Sequence, residues 1–305
     1  MFSLATWRTF AMRATATLLL ALLALPAAAA TVDQTHATTS DPEVSVEIIL
    51  GSVRVIGWDR DEVQITGTLG NGILGLAIDA DDDEVEIEAE YPERNRGRLR
   101  DAEAHLEISV PRGADVEIEG MKCTIDIEGV DGELTLETIN GEITVVGSAE
   151  LVEAESVSGD IRISGSGTEV EADSVSGSVI VTGATGAIAI ATMNGDIEVD
   201  AARADSVSLE SMSGTIDFRG DLVSDADLSV EAYSSAVVLV LPSTVSATFD
   251  VQTQSGDIEN GFGPPAERSN SFMPGKILEF SVGEGSADVT VESFSGSVKL
   301  VKGDG

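Results

Sequence analysis

Four glycines at one constant step limit what this chain can fold into more than any other feature. Gly141, Gly159, Gly177 and Gly195 are 18 residues apart. Each sits in the same short unit: a small polar residue, an apolar residue, Ser or Asn, Gly, a polar residue, then Ile or Val. The unit reads Thr138-Ile139-Asn140-Gly141-Glu142-Ile143 in one copy and Ser156-Val157-Ser158-Gly159-Asp160-Ile161 in the next. Later copies carry Gly214, Gly256 and Gly296 after steps of 19, 42 and 40 residues, and the longest step spans a degenerate copy at Ser235-Ala236-Val237. A second column, Gly129, Gly147, Gly165 and Gly183, keeps the same step of 18. Two columns in phase mean two corners per repeat. Glycine suits a tight corner because such corners often need positive φ.

Between corners the residues alternate. Leu134/Leu136, Val152/Ala154, Val170/Ala172 and Ile188/Ile190 mark one strand of each repeat, and Ile143/Val145, Ile161/Ile163, Val179/Val181 and Ile197/Val199 mark the other. Alternation with a period of two is the mark of a half-buried strand. A lone 18-residue turn of chain cannot bury its apolar side, but stacked turns can. The expected fold is therefore all-β: a single-chain parallel β-solenoid, or β-helix, with about two short strands per coil of about 18 residues. Stacking places equivalent residues about 4.8 Å apart, so the inward Ile and Val form ladders. A β-sandwich of hairpins is the competing architecture, but hairpins have no reason to keep two glycine columns at one step.

The chain divides accordingly. Residues 1–30 have Arg8 and Arg13 ahead of the run Leu18 to Leu25, then Pro26 and Ala28-Ala29-Ala30. A basic start, a short apolar run and an Ala-x-Ala site make a secretory signal peptide. The run is shorter than the roughly 20 residues of a membrane span, so the expected protein is exported and not membrane-embedded. It would reside in the periplasm, on the cell surface or outside the cell. Residues 31–42 are a polar leader and 43–302 the solenoid. Within it, 43–120 are irregular N-terminal coils that act as a cap, 121–258 the regular coils, 259–276 a loop rich in Gly and Pro, and 277–302 a C-terminal coil.

Several further features are those of a known group. They are Gly57-Trp58-Asp59 after an early strand, Leu106-x-Ile108-x-Val110-Pro111 before the coils, the repeated Ser/Asn-Gly-Asp-Ile units, Val240-Leu241-Pro242, and Gly283-x-Gly285. In this ordered set the chain resembles the bacterial candidate-adhesin family with β-strand repeats. The resemblance covers nearly all of residues 43–302. It implies an exported β-solenoid and a role in adhesion, and it supplies no catalytic motif.

Charge narrows the partners. The formal net charge is −37, which repels nucleic acid and anionic lipid, since both need Lys and Arg to neutralise phosphates. Glu137, Glu155 and Asp173 fall one above another in the expected register, and like charges so close repel unless a cation bridges them. This column is the candidate metal site, with Ca²⁺ as the ion; the competing reading is a solvated acidic face. The stretch Asp79 to Glu84 lacks the spacing of known calcium loops and reads as a solvated turn. The run Arg94-Asn95-Arg96-Gly97-Arg98-Leu99-Arg100 could dock an acidic glycan, or simply offset the acidic residues before it. The one cysteine, Cys123, excludes an internal disulfide and reads as a buried free thiol.

No catalytic set emerges. His36 and His105 belong to no spaced ligand group, and no nucleophile elbow is present. The expected protein is thus not an enzyme and needs no cofactor. It would present a repetitive acidic surface to a protein or glycan of the envelope or cell surface, as an adhesin or envelope-interaction protein. The alternatives are a periplasmic scaffold or sensing partner of one envelope protein, and a polysaccharide-active β-helix enzyme. Gly141, Gly159, Gly177, Gly195, Gly214, Gly256 and Gly296 are assigned a structural role at the corners.

Overall fold

A computed structural model describes residues 30–92, 102–165, 169–269 and 275–303. Most of the expected signal peptide, residues 1–29, and the arginine run 94–100 lie outside the described residues. The described chain contains no helix, so none is long and apolar enough to cross a membrane. Its strands form one continuous sheet that winds as a β-solenoid.

The regular coils repeat as expected. The long strands Glu133–Asn140, Leu151–Ser158, Glu169–Ser176 and Thr185–Asn194 pair in parallel at a constant register, with Leu134 beside Val152, Val170 and Ile188 in turn. The short strands Ile143–Val146, Ile161–Ser164 and Val179–Thr182 stack the same way. The two strand stacks enclose one core. Its Ile, Val and Leu rungs are those named by the alternation, all buried. Cys123 belongs to this core; burial pushes its thiol up to about 12, so it is an inert filler at neutral pH.

Stacking order departs from chain order at both ends. Near the C-terminus, Ala287–Ser295 lies between two earlier segments, parallel to both Ile197–Pro242 and Ala247–Ser255. Val298–Gly303 is inserted likewise between Val237–Pro242 and Ile258–Asn260. The last coil in sequence is therefore an interior rung. At the other end Glu43–Trp58 lies between Asp115–Glu128 on one side and Glu84–Glu90 with Ala104–Pro111 on the other.

Antiparallel strands close both ends. Gly75–Ala80 covers Glu84–Glu90, Glu62–Leu69 covers Ala104–Pro111, and Ala30–Ala37, which starts at the last residue of the expected signal peptide and runs into the expected leader, covers Glu62–Leu69 in turn. Lys276–Val282 covers Ala247–Ser255 at the far end. An open parallel edge would template aggregation, and these reversed strands occupy it.

The corner glycines are required for a reason other than the one expected. Of the seven, only Gly214 has a positive φ, 139°. The others are glycine because neighbouring coils touch there: a Cβ on Gly159 would lie 1.8 Å from the carbonyl oxygen of Gly141. Positive φ belongs instead to the second column, with Gly129 at 71° and Gly183 at 76°. The degenerate copy is the exception, a corner where a Cβ is tolerated. Ser235 takes the corner slot, and its buried hydroxyl lies 2.9 Å from that of Ser211, on a rung where Ala232 has none to offer.

Candidate functional site

The repeat unit builds a surface as well as a corner. In Leu134-Thr135-Leu136-Glu137-Thr138-Ile139, the inward residues are Leu134, Leu136 and Thr138. Thr138 is polar yet buried because the corner turns a backbone carbonyl inward that needs a donor: its hydroxyl donates to Cys123 O at 3.2 Å. Ser156, Ser174, Thr192 and Ser211 occupy the same buried column. Glu137 and Ile139, on either side of it, must both face outward.

Register extends these two outward positions into parallel rows. One row is acidic: Glu119, Glu137, Glu155, Asp173, Glu210 and Glu231, with Ala191 the one neutral rung among them. The other is apolar: Ile139, Val157, Val175, Met193 and Met212, followed by Tyr233 and Phe294. Every residue of the apolar row is between 40% and 53% exposed. Between the rows runs one groove of about 1430 Å³, reaching from Glu47 and Ile49 to Gln254 and Lys276. Near its far end Tyr233 and Phe294 stack face to face, with ring centroids 4.8 Å apart and planes 1° from parallel. Glu231 and Glu292 pair beside them.

The sequence column Glu137, Glu155, Asp173 is thus brought together as the middle of the acidic row. Burial raises the Glu137 carboxyl above its ordinary value, and repulsion from Glu155, Glu119 and Glu117 adds to this. Among the described residues no group of three or more His, Cys, Asp or Glu side chains closes around a metal-sized point. A second acidic series on the other side of the corner is structural. Asp160 accepts the N–H of Ser178 at 3.0 Å and an Arg162 bond at 2.9 Å, and Asp196 accepts the N–H of Thr215 at 2.8 Å. Glu142 is also paired with Arg162. The stretch Asp79 to Glu84 spans the end of one strand, the turn at residues 81–83 and the start of its antiparallel partner.

The acidic row has a consequence for stability. The folded chain holds the Glu137 proton to higher pH than the unfolded chain, so its contribution is complete below the ordinary value of 4.5 and is lost as pH rises through the raised one. Glu84, raised chiefly by Glu86 and then by burial, acts in the same direction. Asp196 is lowered by the Thr215 hydrogen bonds, so its contribution is present above 3.8 and disappears only in stronger acid. Melting temperature is therefore expected to rise as pH falls through the raised values of the Glu137 and Glu84 carboxyls toward 4.5. Glu137→Gln should flatten that slope while changing neutral stability by less than about 0.5 kcal/mol. A melting series over this range, in wild type and variant, checks both.

One cross-strand cluster resembles a catalytic set. Ser52 Oγ lies 2.9 Å from His105 Nδ1, and Glu103 is 3.7 Å from the other ring nitrogen. The three sit outside the groove, with His105 and Glu103 more than half exposed, so water is not excluded as such chemistry requires.

Sequence reasoning missed the apolar row. The signal was present: Ile139, Val157, Val175, Met193 and Met212 are out of phase with the inward alternation of their own strands.

With the geometry described, comparisons place the chain among known proteins. The model of the family Toastrack DUF4097 matches residues 52–301. No curated protein is significantly similar. Among solved structures, a candidate adhesin from Bacteroides fragilis is 14% identical, with 89% of this chain and 97% of that one covered and a TM-score of 0.44. A candidate adhesin from Parabacteroides distasonis is 10% identical, with 90% and 98% covered and a TM-score of 0.46. A candidate lipid-binding protein from the same species is 11% identical, with 89% and 97% covered and a TM-score of 0.40.

Proposed function

The chain belongs to the Toastrack DUF4097 family, and we propose that it is a non-enzymatic, exported binding protein that holds an elongated partner in its longitudinal groove. The observation that carries this reading is the apolar row. Exported soluble proteins rarely leave so many large apolar side chains in one unbroken line at the surface, and such patches mark interaction sites. The core does not need them, because the inward Ile and Val ladders already fill it. The groove is long and open rather than deep, which suits a chain-like or surface-borne partner better than a small molecule. Adhesion or another envelope interaction is the class of activity such a surface serves, and the signal-like residues 1–30 would deliver it to the periplasm, the cell surface or beyond.

The test uses the full-length protein and a double variant, Met193→Asp with Met212→Asp. Both positions are about half exposed, so the fold should survive with an unchanged melting temperature. Wild type should sediment with cell-envelope fractions and the variant should not, with a loss of at least about tenfold, since losing the few central hot-spot contacts of an interface costs about 2 kcal/mol or more. Undiminished binding by a folded variant would remove the groove from the function.

A further inference from the structure

Resting on the preceding reading of the groove, we infer that its occupant is an extended polypeptide segment in which basic and apolar side chains alternate, with an arginine seated at Tyr233 and Phe294. The two walls differ chemically along their whole length. One is carboxylate from Glu119 through Glu231 except at Ala191, and the other is aliphatic and aromatic from Ile139 through Phe294. Wall-forming residues are two apart on each strand, so the rows stand about 7 Å from each other. An extended backbone fits that width. An α-helix with its side chains, about 10–12 Å across, would overhang both rows.

An extended chain sends successive side chains to opposite sides. Laid along the groove, it turns every second residue to the carboxylates and the rest to the apolar wall. Alternating basic and apolar residues satisfy both walls at once. The groove spans about ten rungs at about 4.8 Å each, or roughly 43 Å, which an extended segment of about 12 residues fills.

Other occupants meet the acidic row unfavourably. A second copy of this chain would bring two carboxylate rows into one slot. An anionic lipid surface is repelled by the same row and by the net charge of −37. That charge draws a cationic segment in from a distance.

The aromatic pair supplies the anchor. Two parallel rings, each about half exposed, stand beside Glu231 and Glu292. The rings cover each other's inner faces, so the seat is an outer ring face, which favours a cation; a guanidinium is flat enough to stack there while its edge donates to a carboxylate. A lysine ammonium offers no such plane.

Fluorescence anisotropy on the full-length protein tests this with labelled peptides of about 12 residues. One alternates Arg and Leu; one has the same composition with all arginines first; one alternates Glu and Leu; one alternates Lys and Leu. The expected result is binding of the alternating Arg peptide at least about tenfold tighter than the block or Lys peptides, weakening with added salt, and no binding of the Glu peptide. Tyr233→Ala, at an exposed position, should remove most of the preference for Arg over Lys. Equal binding of the block peptide would overturn the extended, alternating occupant. An Arg preference that survives in Tyr233→Ala would overturn the arginine seat. Binding to phosphatidylglycerol vesicles with none to the Arg peptide would replace the partner with a lipid surface. If the double methionine variant loses envelope binding while no basic peptide binds wild type, the groove reading stands and this partner falls. If peptides bind but envelope binding ignores the groove, the reverse holds.

Discussion

A chain ending at Ser286 is expected to lose the whole C-terminal part of its solenoid, although only its last strands are missing. Ala287–Ser295 has a neighbour on each side: Leu228 pairs with Val289 and Val230 with Val291 on one flank, and Phe249 and Val251 pair with the same residues on the other. Val298 and Leu300 are held between Val237/Leu239 and Ile258/Asn260. All four of these inward residues are buried. Burying a Val or Leu side chain contributes about 1.5–3 kcal/mol, so removing four costs on the order of 6–12 kcal/mol before the broken ladders are counted. A domain's entire net stability is about 5–15 kcal/mol. The segment 244–260 would lose its neighbour on the core side, and the coil of residues 227–242 would become an open edge.

Limited proteolysis and far-ultraviolet circular dichroism read the outcome. Cleavage should spread back through residues 227–282, with loss of β signal well beyond that of the deleted residues. Deleting the N-terminal strand Ala30–Ala37 is the control. Among the described residues it lies outermost and pairs on one side only, and it is largely exposed, so its removal should be tolerated. A truncated protein that melts as cooperatively and as hot as wild type would refute the insertion of the last coil between earlier ones.

The same insertion explains where the sequence stops being legible. The regular coils announce themselves because the register of a parallel stack is written in local spacing: a step of 18 residues places Val152 on Leu134 and Ile161 on Ile143. That spacing also brings Glu137, Glu155 and Asp173 together. Which segments meet at the ends is a different kind of information. Gly256 follows Gly214 at a step of 42 in the chain, yet its spatial neighbour is Gly296, and the neighbour of Gly296 is Ser235. No local pattern records that a later strand returns between two earlier ones. The groove was half legible. The acidic row can be read because charge is unambiguous, but in sequence the apolar row reads as one more part of a corner motif. Its direction rests on strand phase: Thr138 continues the inward series begun by Leu134 and Leu136, and Ile139 therefore points out. A buried threonine inside an otherwise apolar series disguised that phase.

Phase and corner meet at Gly159, where the smallest substitution should have a large effect. Gly159→Ala adds one methyl group that would lie 1.8 Å from the carbonyl oxygen of Gly141 and 2.6 Å from its carbon. Both are backbone atoms of the neighbouring coil, so no side chain can swing aside. The coils must separate or the corner must deform, and the contact from the Gly141 N–H to Ser158 O at 3.3 Å goes with it. Overpacking of this kind costs about 3 kcal/mol, which in a domain of this size corresponds to a fall in melting temperature of about 6–12 °C. Gly183→Ala provides the contrast. Its φ of 76° strains an alanine, but the added carbon would lie no closer than 3.3 Å to any atom across the coil. Left-handed strain alone costs about 1–2 kcal/mol, so this variant should melt between wild type and Gly159→Ala. Thermal melts of the three proteins decide the matter: the reverse order would mean that the first corner is governed by backbone conformation after all. The groove should feel the difference too. Gly159 sits two residues beyond Val157, so separating the coils there breaks the apolar row between Ile139 and Val157. Gly183, at the opposite corner, leaves that row intact. Partner binding measured below the melting transition should accordingly weaken in Gly159→Ala and persist in Gly183→Ala.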